Sequence, residues 1–135
     1  MNESCTNAGG WKDSDMREYL NTEIYDLLPD DLKAVIKKRK LCTKDVSLNT
    51  EDNLWLLSKM EVFGEESGAE VGDVHFELFE DERSRVKQID GETVWYWLRS
   101  PYTGNGNYFW SVATNGVINN NLAYDSDGVA FGFLI

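Results

Sequence analysis

The chain carries little with which to do covalent or metal chemistry. Its 135 residues include one histidine, His75, two prolines and two cysteines, Cys5 and Cys42. Two separated cysteines without a C-x-x-C spacing make neither a disulfide framework nor a zinc site. They are either free thiols or a single pair. Any nucleophile–histidine arrangement would have to run through His75, with Cys5, Cys42 or a serine as its partner. No serine sits in a G-x-S-x-G context, and no P-loop or dinucleotide fingerprint is present. Acidic pairs such as Asp30-Asp31 and Glu65-Glu66 give no support for a glycosidase. His75, next to Phe76, is expected to be a half-buried structural histidine. No enzyme, cofactor or metal is expected.

Cations are also scarce. Lys and Arg total 13 against 24 Asp and Glu, a net charge of −11. Counterion release from nucleic acid needs clustered cations, so a nucleic-acid partner is excluded from the expectation. An anionic membrane surface would be repelled by the same charge. No run approaches the roughly 18 apolar residues of a membrane helix, and the start, MNESCTNAGG, has no apolar signal region. A cytoplasmic protein, a component of a larger particle and a piece of a longer chain all remain open.

The most local absence lies between Tyr102 and Asp127. That stretch has no Lys, Arg, Glu, Gln or Met, although charged residues are 27% of the chain. In their place stand Asn105, Asn107, Asn115, Asn119, Asn120 and Asn121, with Tyr102, Tyr108, Phe109, Trp110 and Tyr124. Short hydrogen-bonding groups mixed with rigid amphipathic rings are the chemistry of recognition surfaces. Asn- and Gly-rich turns between short strands would give the same composition.

What is present elsewhere reads as a frame, since 135 residues can bury one core without staples. Ser14 or Asp13 caps a predicted helix with Met16, Tyr19 and Leu20 on one face. A second helix, with Ile24, Leu27 and Leu28, stops at Pro29. A third runs from Asp30-Asp31 through Leu32, Val35 and Ile36, and the run Lys37 to Lys40 is its solvated end rather than a nucleic-acid patch. Leu41 to Thr50 is one edge strand or an irregular connection. Asn53 to Leu57 reads as a buried strand. Ser58-Lys59-Met60-Glu61 matches a capping box, opening a helical turn that Gly64 ends. Glu65 to Asp73 is expected as a surface loop and Val74 to Gln88 as a helix, with a turn at Asp90-Gly91.

Trp95 to Arg99 alternates bulky side chains on both faces, predicting a strand covered on both sides, with Trp95, Trp97 and Arg99 on one and Tyr96 and Leu98 on the other. A buried Arg99 requires carboxylate or carbonyl partners; an anion-binding role is the alternative. Pro101 marks where the strand leaves its ladder. Phe109 to Ala113 is a second strand, turned at Asn115-Gly116 into Val117-Ile118. Val129 to Ile135 is the expected closing strand. Asp125-Ser126-Asp127-Gly128 is either turn chemistry or a fragment of a calcium loop lacking its further ligands.

The order G-G-W-x-x-S-x-M-R-x-Y (Gly9 to Tyr19), L-P-x-x-L-x-x-V-I-K (Leu28 to Lys37), L-W-L-L-S-x-x-E-V-F-G (Leu54 to Gly64), W-Y-W-L-R-S-P (Trp95 to Pro101) and G-V-A-F-G-F (Gly128 to Phe133) resembles an uncharacterised domain family of gut bacteria and their phages. That family is similar to the C-type-lectin-like fold of formylglycine-generating enzymes and of retroelement-diversified variable proteins. The resemblance implies an α+β, C-type-lectin-like domain over 1–135, with short N-terminal helices and a small antiparallel sheet, and a preceding segment that is missing or short. It implies a display protein whose variable region, 102–127, binds a protein or cell-surface ligand on a virion or cell. Adenine-directed mutation of Asn codons ending in a pyrimidine yields no Lys, Glu, Gln, Met or Trp, and Trp110 alone departs from that pattern. The lack of any cysteine after Cys42 argues against formylglycine-generating activity.

The expected ligand-binding residues are Tyr102, Asn105, Asn107, Tyr108, Trp110, Thr114, Asn115, Asn119, Asn120, Asn121, Tyr124 and Asp125, with Trp95, Trp97, Phe131 and Phe133 as scaffold. Two other roles stay open: a structural module of a phage tail or surface particle that self-assembles, and an enzyme with a site around His75.

Overall fold

The computed structural model describes residues 1–135. Helical turns come first: α1 (Asp15–Tyr19), a π turn (Leu20–Ile24), α2 (Tyr25–Leu27) and α3 (Asp30–Lys33). Ser14 caps α1 by accepting from the Arg17 N–H at 3.2 Å. The two expected helices run on from one another, because the π turn bridges Asn21-Thr22 instead of breaking there. The wider turn rotates the apolar stripe, so Leu20 is buried while Leu27 is 80% exposed. Helix α3 ends before Val35, which is exposed.

The region expected as one strand or a connection is a hairpin, β1 (Arg39–Thr43) and β2 (Thr50–Asp52), paired Leu41↔Thr50. The buried run follows as β3 (Trp55–Leu56). The capping box is intact on α4 (Lys59–Phe63), with Gly64 in the left-handed region. The expected surface loop holds β4 (Glu70–Val71), which adds to β1.

The expected helix over Val74 to Gln88 is absent. In its place stand a 3-10 turn, Glu77–Phe79, and α5 (Glu82–Arg85). Spacing of three between Phe76 and Phe79 suits a 3-10 turn as well as a helix. Asp81 then starts a new element by accepting from the Ser84 N–H at 2.8 Å. His75, expected to be half-buried, lies exposed, its Nε2 at 3.3 Å from the Val62 carbonyl oxygen.

The strands β5 (Lys87–Ile89) and β6 (Glu92–Val94) form a hairpin over Asp90-Gly91. Three more strands, β7 (Tyr96–Pro101), β8 (Tyr108–Val112) and β9 (Ile118–Leu122), make an antiparallel sheet in that order. A last strand, β10 (Phe131–Gly132), pairs with β3, and Leu134 bridges Lys37. No helix is long and apolar enough to cross a membrane.

Strand β7 divides the interior. Trp97 enters a cluster with Trp11, Leu20, Leu41, Leu54, Trp55, Leu56 and Phe109. Tyr96 and Leu98, one residue out of phase, join Val62, Phe79 and Val112. The period of two thus feeds two cores from one strand. Trp95 is half-buried and precedes β7, and Phe131 and Phe133 are 36% and 38% exposed. The strand expected from Trp95, covered on both sides, thus begins one residue later, and the scaffold residues Trp95, Phe131 and Phe133 sit at the margin of the interior rather than in either cluster. Strand β10 is only two residues long and covers β3 without being covered itself.

Arg99 is locked inside by charge. Its Nη1 donates to Leu56 O at 2.8 Å and to Glu61 Oε2 at 2.7 Å, and its Nη2 pairs with Asp73. Arg39, expected at a solvated helix end, instead meets Glu61 Oε1 at 2.6 Å and Asp73 at 3.4 Å. Glu61 also accepts from the Ser58 N–H at 2.8 Å, so one carboxylate serves both the capping box and the ion pairs. Burial alone would raise the Glu61 pKa; the charges of Arg99 and Arg39 and the Ser58 N–H outweigh it and hold the carboxyl below its usual range. Removing one partner of such a set strands the others without water.

Candidate functional site

The candidate face is built on β8 and β9, whose ladder pairs Tyr108↔Leu122, Trp110↔Asn120 and Val112↔Ile118 on one side and Phe109↔Asn121 and Ser111↔Asn119 on the other. Tight burial of Phe109, Ser111, Val112 and Ala113 fixes the sheet against the interior. None of the twelve expected residues is buried: Asn105, Asn107, Asn115, Asn119 and Tyr124 are exposed and the other seven are intermediate.

Those twelve separate into groups. Tyr102, Tyr108 and Trp110 form one aromatic cluster, with Tyr102 edge-on to Trp110 at 4.8 Å and to Tyr108 at 6.3 Å between ring centroids. Asn120 lies across the ladder from Trp110. Lys59, which the sequence reading did not select, places its ammonium 4.4 Å from the Trp110 ring centroid and 3.0 Å from Glu65. Gly104 leaves room for the Tyr102 ring, since a Cβ there would come within 2.8 Å of it.

A second group, Asn105, Asn107, Tyr124 and Asp125, gathers at one end of the sheet, where the Ala123 N–H donates to Asn107 O at 2.8 Å. Thr114 and Asn115 lie at the β8–β9 turn, the other end. Strand β8 has five residues, about 16 Å at 3.3 Å per residue. A small ligand therefore cannot touch both ends, whereas a protein surface can.

The asparagines also divide by use. Asn105, Asn115 and Asn119 accept through Oδ1 from the N–H groups of Asn107, Val117 and Asn120, which is turn and edge chemistry. Asn121 donates to Asp127 Oδ2 at 2.7 Å from the inner side of the ladder. Burial raises the Asp127 pKa, and the Asn121 bond offsets that in part. The side chains of Asn107 and Asn120 and the Tyr124 hydroxyl have no partner within the chain.

One residue outside the ribbon organises it. The Asn7 Nδ2 group lies 2.9, 3.0 and 2.7 Å from the carbonyl oxygens of Tyr102, Asn105 and Tyr108, and the Asn7 N–H donates to Gly106 O at 2.7 Å. An amide is the one uncharged side chain with two donors on a single atom, which suits convergent carbonyls. No local pattern around Asn7 announces this, because its partners are 95 to 101 residues away.

The cysteines are both free and half-buried. His75 makes its one hydrogen bond to the Val62 carbonyl, so no nucleophile is bonded to it.

A family model described as a domain of unknown function (DUF6273) matches residues 1–135. The chain belongs to that family. No curated protein and no solved structure matches it. For this DUF6273 chain, the site rests on the geometry above.

Proposed function

We propose that this DUF6273 chain is a ligand-binding display domain with a C-type-lectin-like frame, and that the Tyr102–Asp127 ribbon meets a protein or cell-surface ligand. The observation that carries the reading is the contrast along the ribbon: Phe109, Ser111, Val112 and Ala123 are buried while none of the twelve polar-aromatic positions between and around them is. Half-exposed rings give contact area at low entropic cost, and free amides adapt to a partner. Two separated ends of one sheet suit a broad partner over a small one. A virion or bacterial surface setting, and diversification by a retroelement, follow from the sequence resemblance.

The experiment is binding of fluorescently labelled protein to intact gut-bacterial cells, wild type against the triple change Asn107→Ala, Asn120→Ala and Tyr124→Ala. Saturable binding by wild type and its loss in the folded variant support the proposal. Saturable binding that the variant retains in full contradicts it.

An assembly module is the second reading, and a specific feature favours it. Val129, Phe131, Phe133, Leu134 and Ile135 form an exposed apolar strip at the chain's end, and such strips mark contact surfaces. Concentration-dependent association abolished by Phe131→Ser and Phe133→Ser would support this reading.

A further inference from the structure

A separate concavity lies where the Gly9-Gly10-Trp11 turn, the β1–β2 hairpin, the Gly68–Glu70 segment and the Pro101–Gly106 loop meet. Its volume is about 330 Å³, within the range of small-ligand pockets, roughly 300–1,000 Å³. Trp11, Leu48, Pro101 and Tyr102 supply apolar wall. Gly9 and Gly10 turn the chain with φ of +73° and +56°, and a side chain on Gly9 would collide with Asp13.

The polar groups of the wall are unequally used. Arg99 is tied to Glu61 and Asp73. Of the two carboxylates, Asp45 accepts from the Ser47 N–H and hydroxyl, and Glu70 accepts from the Ser67 hydroxyl. The donors divide: the Asn7 amide and the Thr43 and Thr50 hydroxyls are engaged by the Tyr102, Asn105, Tyr108 and Asp45 carbonyls and by Asp52, while a second set is free. Lys44 Nζ has no ion-pair or hydrogen-bond partner, the Tyr102 and Thr103 hydroxyls donate to nothing, and the N–H groups of Gly9 and Trp11 find no acceptor in the chain. A concavity with apolar walls and a free ammonium, two free hydroxyls and two free N–H groups is matched by a compact apolar body bearing an acceptor.

We infer that this cavity binds a small organic carboxylate, its apolar body against Trp11, Leu48 and Tyr102 and its anionic end met by Lys44 and the free N–H groups of the Gly9–Trp11 turn. A singly charged carboxylate fits better than a doubly charged phosphate, because Lys44 is the one unpaired cation on the wall and Asp45 and Glu70 repel any charge beyond the one it balances. A free aromatic acid and the C-terminus of a peptide carry the same chemistry. Tyr102 is the one residue of the twelve that this wall shares with the ribbon; Asn107, Asn120 and Tyr124, whose changes test the ribbon reading, are outside it.

The test is a titration of the ¹⁵N-labelled chain, followed by amide NMR, with phenylacetate, phenylacetamide, phenethylamine and acetyl-Ala-Phe. Phenylacetate is expected to shift the amides of Gly9–Trp11, Lys44 and Gly68–Ala69 saturably, and phenethylamine to shift none of them. Acetyl-Ala-Phe binding more tightly than phenylacetate identifies a peptide terminus as the source, and the reverse identifies a free acid. Lys44→Gln should weaken phenylacetate about two- to fivefold, the yield of an exposed ion pair, and leave phenylacetamide unchanged. Leu48→Trp, or Ala69→Leu from the opposite wall if the first variant loses its dispersed spectrum, should remove the shifts by filling the space. The inference is overturned by no saturable shift with either carboxylate, by phenethylamine binding as tightly as phenylacetate, or by shifts that survive filling in a folded variant.

Discussion

Replacing Asn7 by Asp changes one atom type and reverses the electrostatics of the loop that opens the ribbon. The Asn7 amide points its donor group at three carbonyl oxygens, of Tyr102, Asn105 and Tyr108. The bonds to Tyr102 and Tyr108 are partly buried and the Asn105 bond is exposed, so water replaces only the last at little cost. Losing two partly buried bonds, each with a net value of roughly 0.5–1.5 kcal/mol, destabilises by about 2 kcal/mol. An introduced carboxylate adds oxygen-against-oxygen repulsion, so Asn7→Asp should cost more than Asn7→Ala. For a chain of this size 2 kcal/mol corresponds to a Tm lowered by roughly 6–10 °C. The repulsion also raises the introduced carboxyl's pKa in the folded state. A raised folded pKa means that the penalty is present at neutral pH and fades as pH falls through that pKa, so the gap between the Asp and Ala variants should close in acid. Thermal melts at neutral and acid pH measure this, and amide hydrogen exchange over residues 102–108 locates it. If Asn7→Asp is as stable as wild type at neutral pH, the amide presents its oxygen to the loop instead, and the reasoning fails.

Other outcomes follow from the frame. Arg99→Met should cost about 3–5 kcal/mol in denaturant unfolding, because Glu61 and Asp73 are left buried with reduced partners; a loss below 1 kcal/mol would contradict a structural role. Gly116→Ala should destabilise far more than Gly91→Ala. Both have φ +83°, but a Cβ at Gly116 overlaps the Glu82 carbonyl oxygen while none meets anything within 4 Å at Gly91; the latter loses only about 1–2 kcal/mol of left-handed strain. Burial pushes the Tyr96 hydroxyl up to about 12 against an ordinary 10.0, with the nearby Arg85 charge offsetting it in part. A raised folded pKa gives stability that is whole below pH 10 and lost as pH rises towards 12, so phenolate absorbance of Tyr96, read as the difference from Tyr96→Phe, should appear together with unfolding.

Much of the frame was legible because its signals are local. The Ser58–Glu61 capping box, the Asn115-Gly116 hairpin and the alternation of β7 and β8 each occupy a few residues, and the structure bears out each of them. The need for partners at Arg99 was equally readable, since an apolar strand with one cation admits few solutions. Their identity was not, because Glu61 and Asp73 come from a helix and a loop whose approach depends on tertiary packing. The missed β1–β2 hairpin has weak alternation and gains its place from Leu41 in the core. The closing strand read over Val129 to Ile135 shrinks to Phe131–Gly132, and so short a pairing at a sheet edge leaves Phe131 and Phe133 over a third exposed. At the site, composition found the ribbon but could not sort its asparagines into those holding turns and those left free, nor find Asn7 and Lys59, which reach it from distant parts of the chain.

The most direct test of the outward-facing ribbon is the thermal melt of the Asn107→Ala, Asn120→Ala, Tyr124→Ala variant. Substitutions at surface positions usually stay within about 0.5 kcal/mol each, so the Tm should lie within roughly 5 °C of wild type. A fall of more than about 10 °C, the size of a core deletion, would mean that these side chains hold the domain together and do not face a partner.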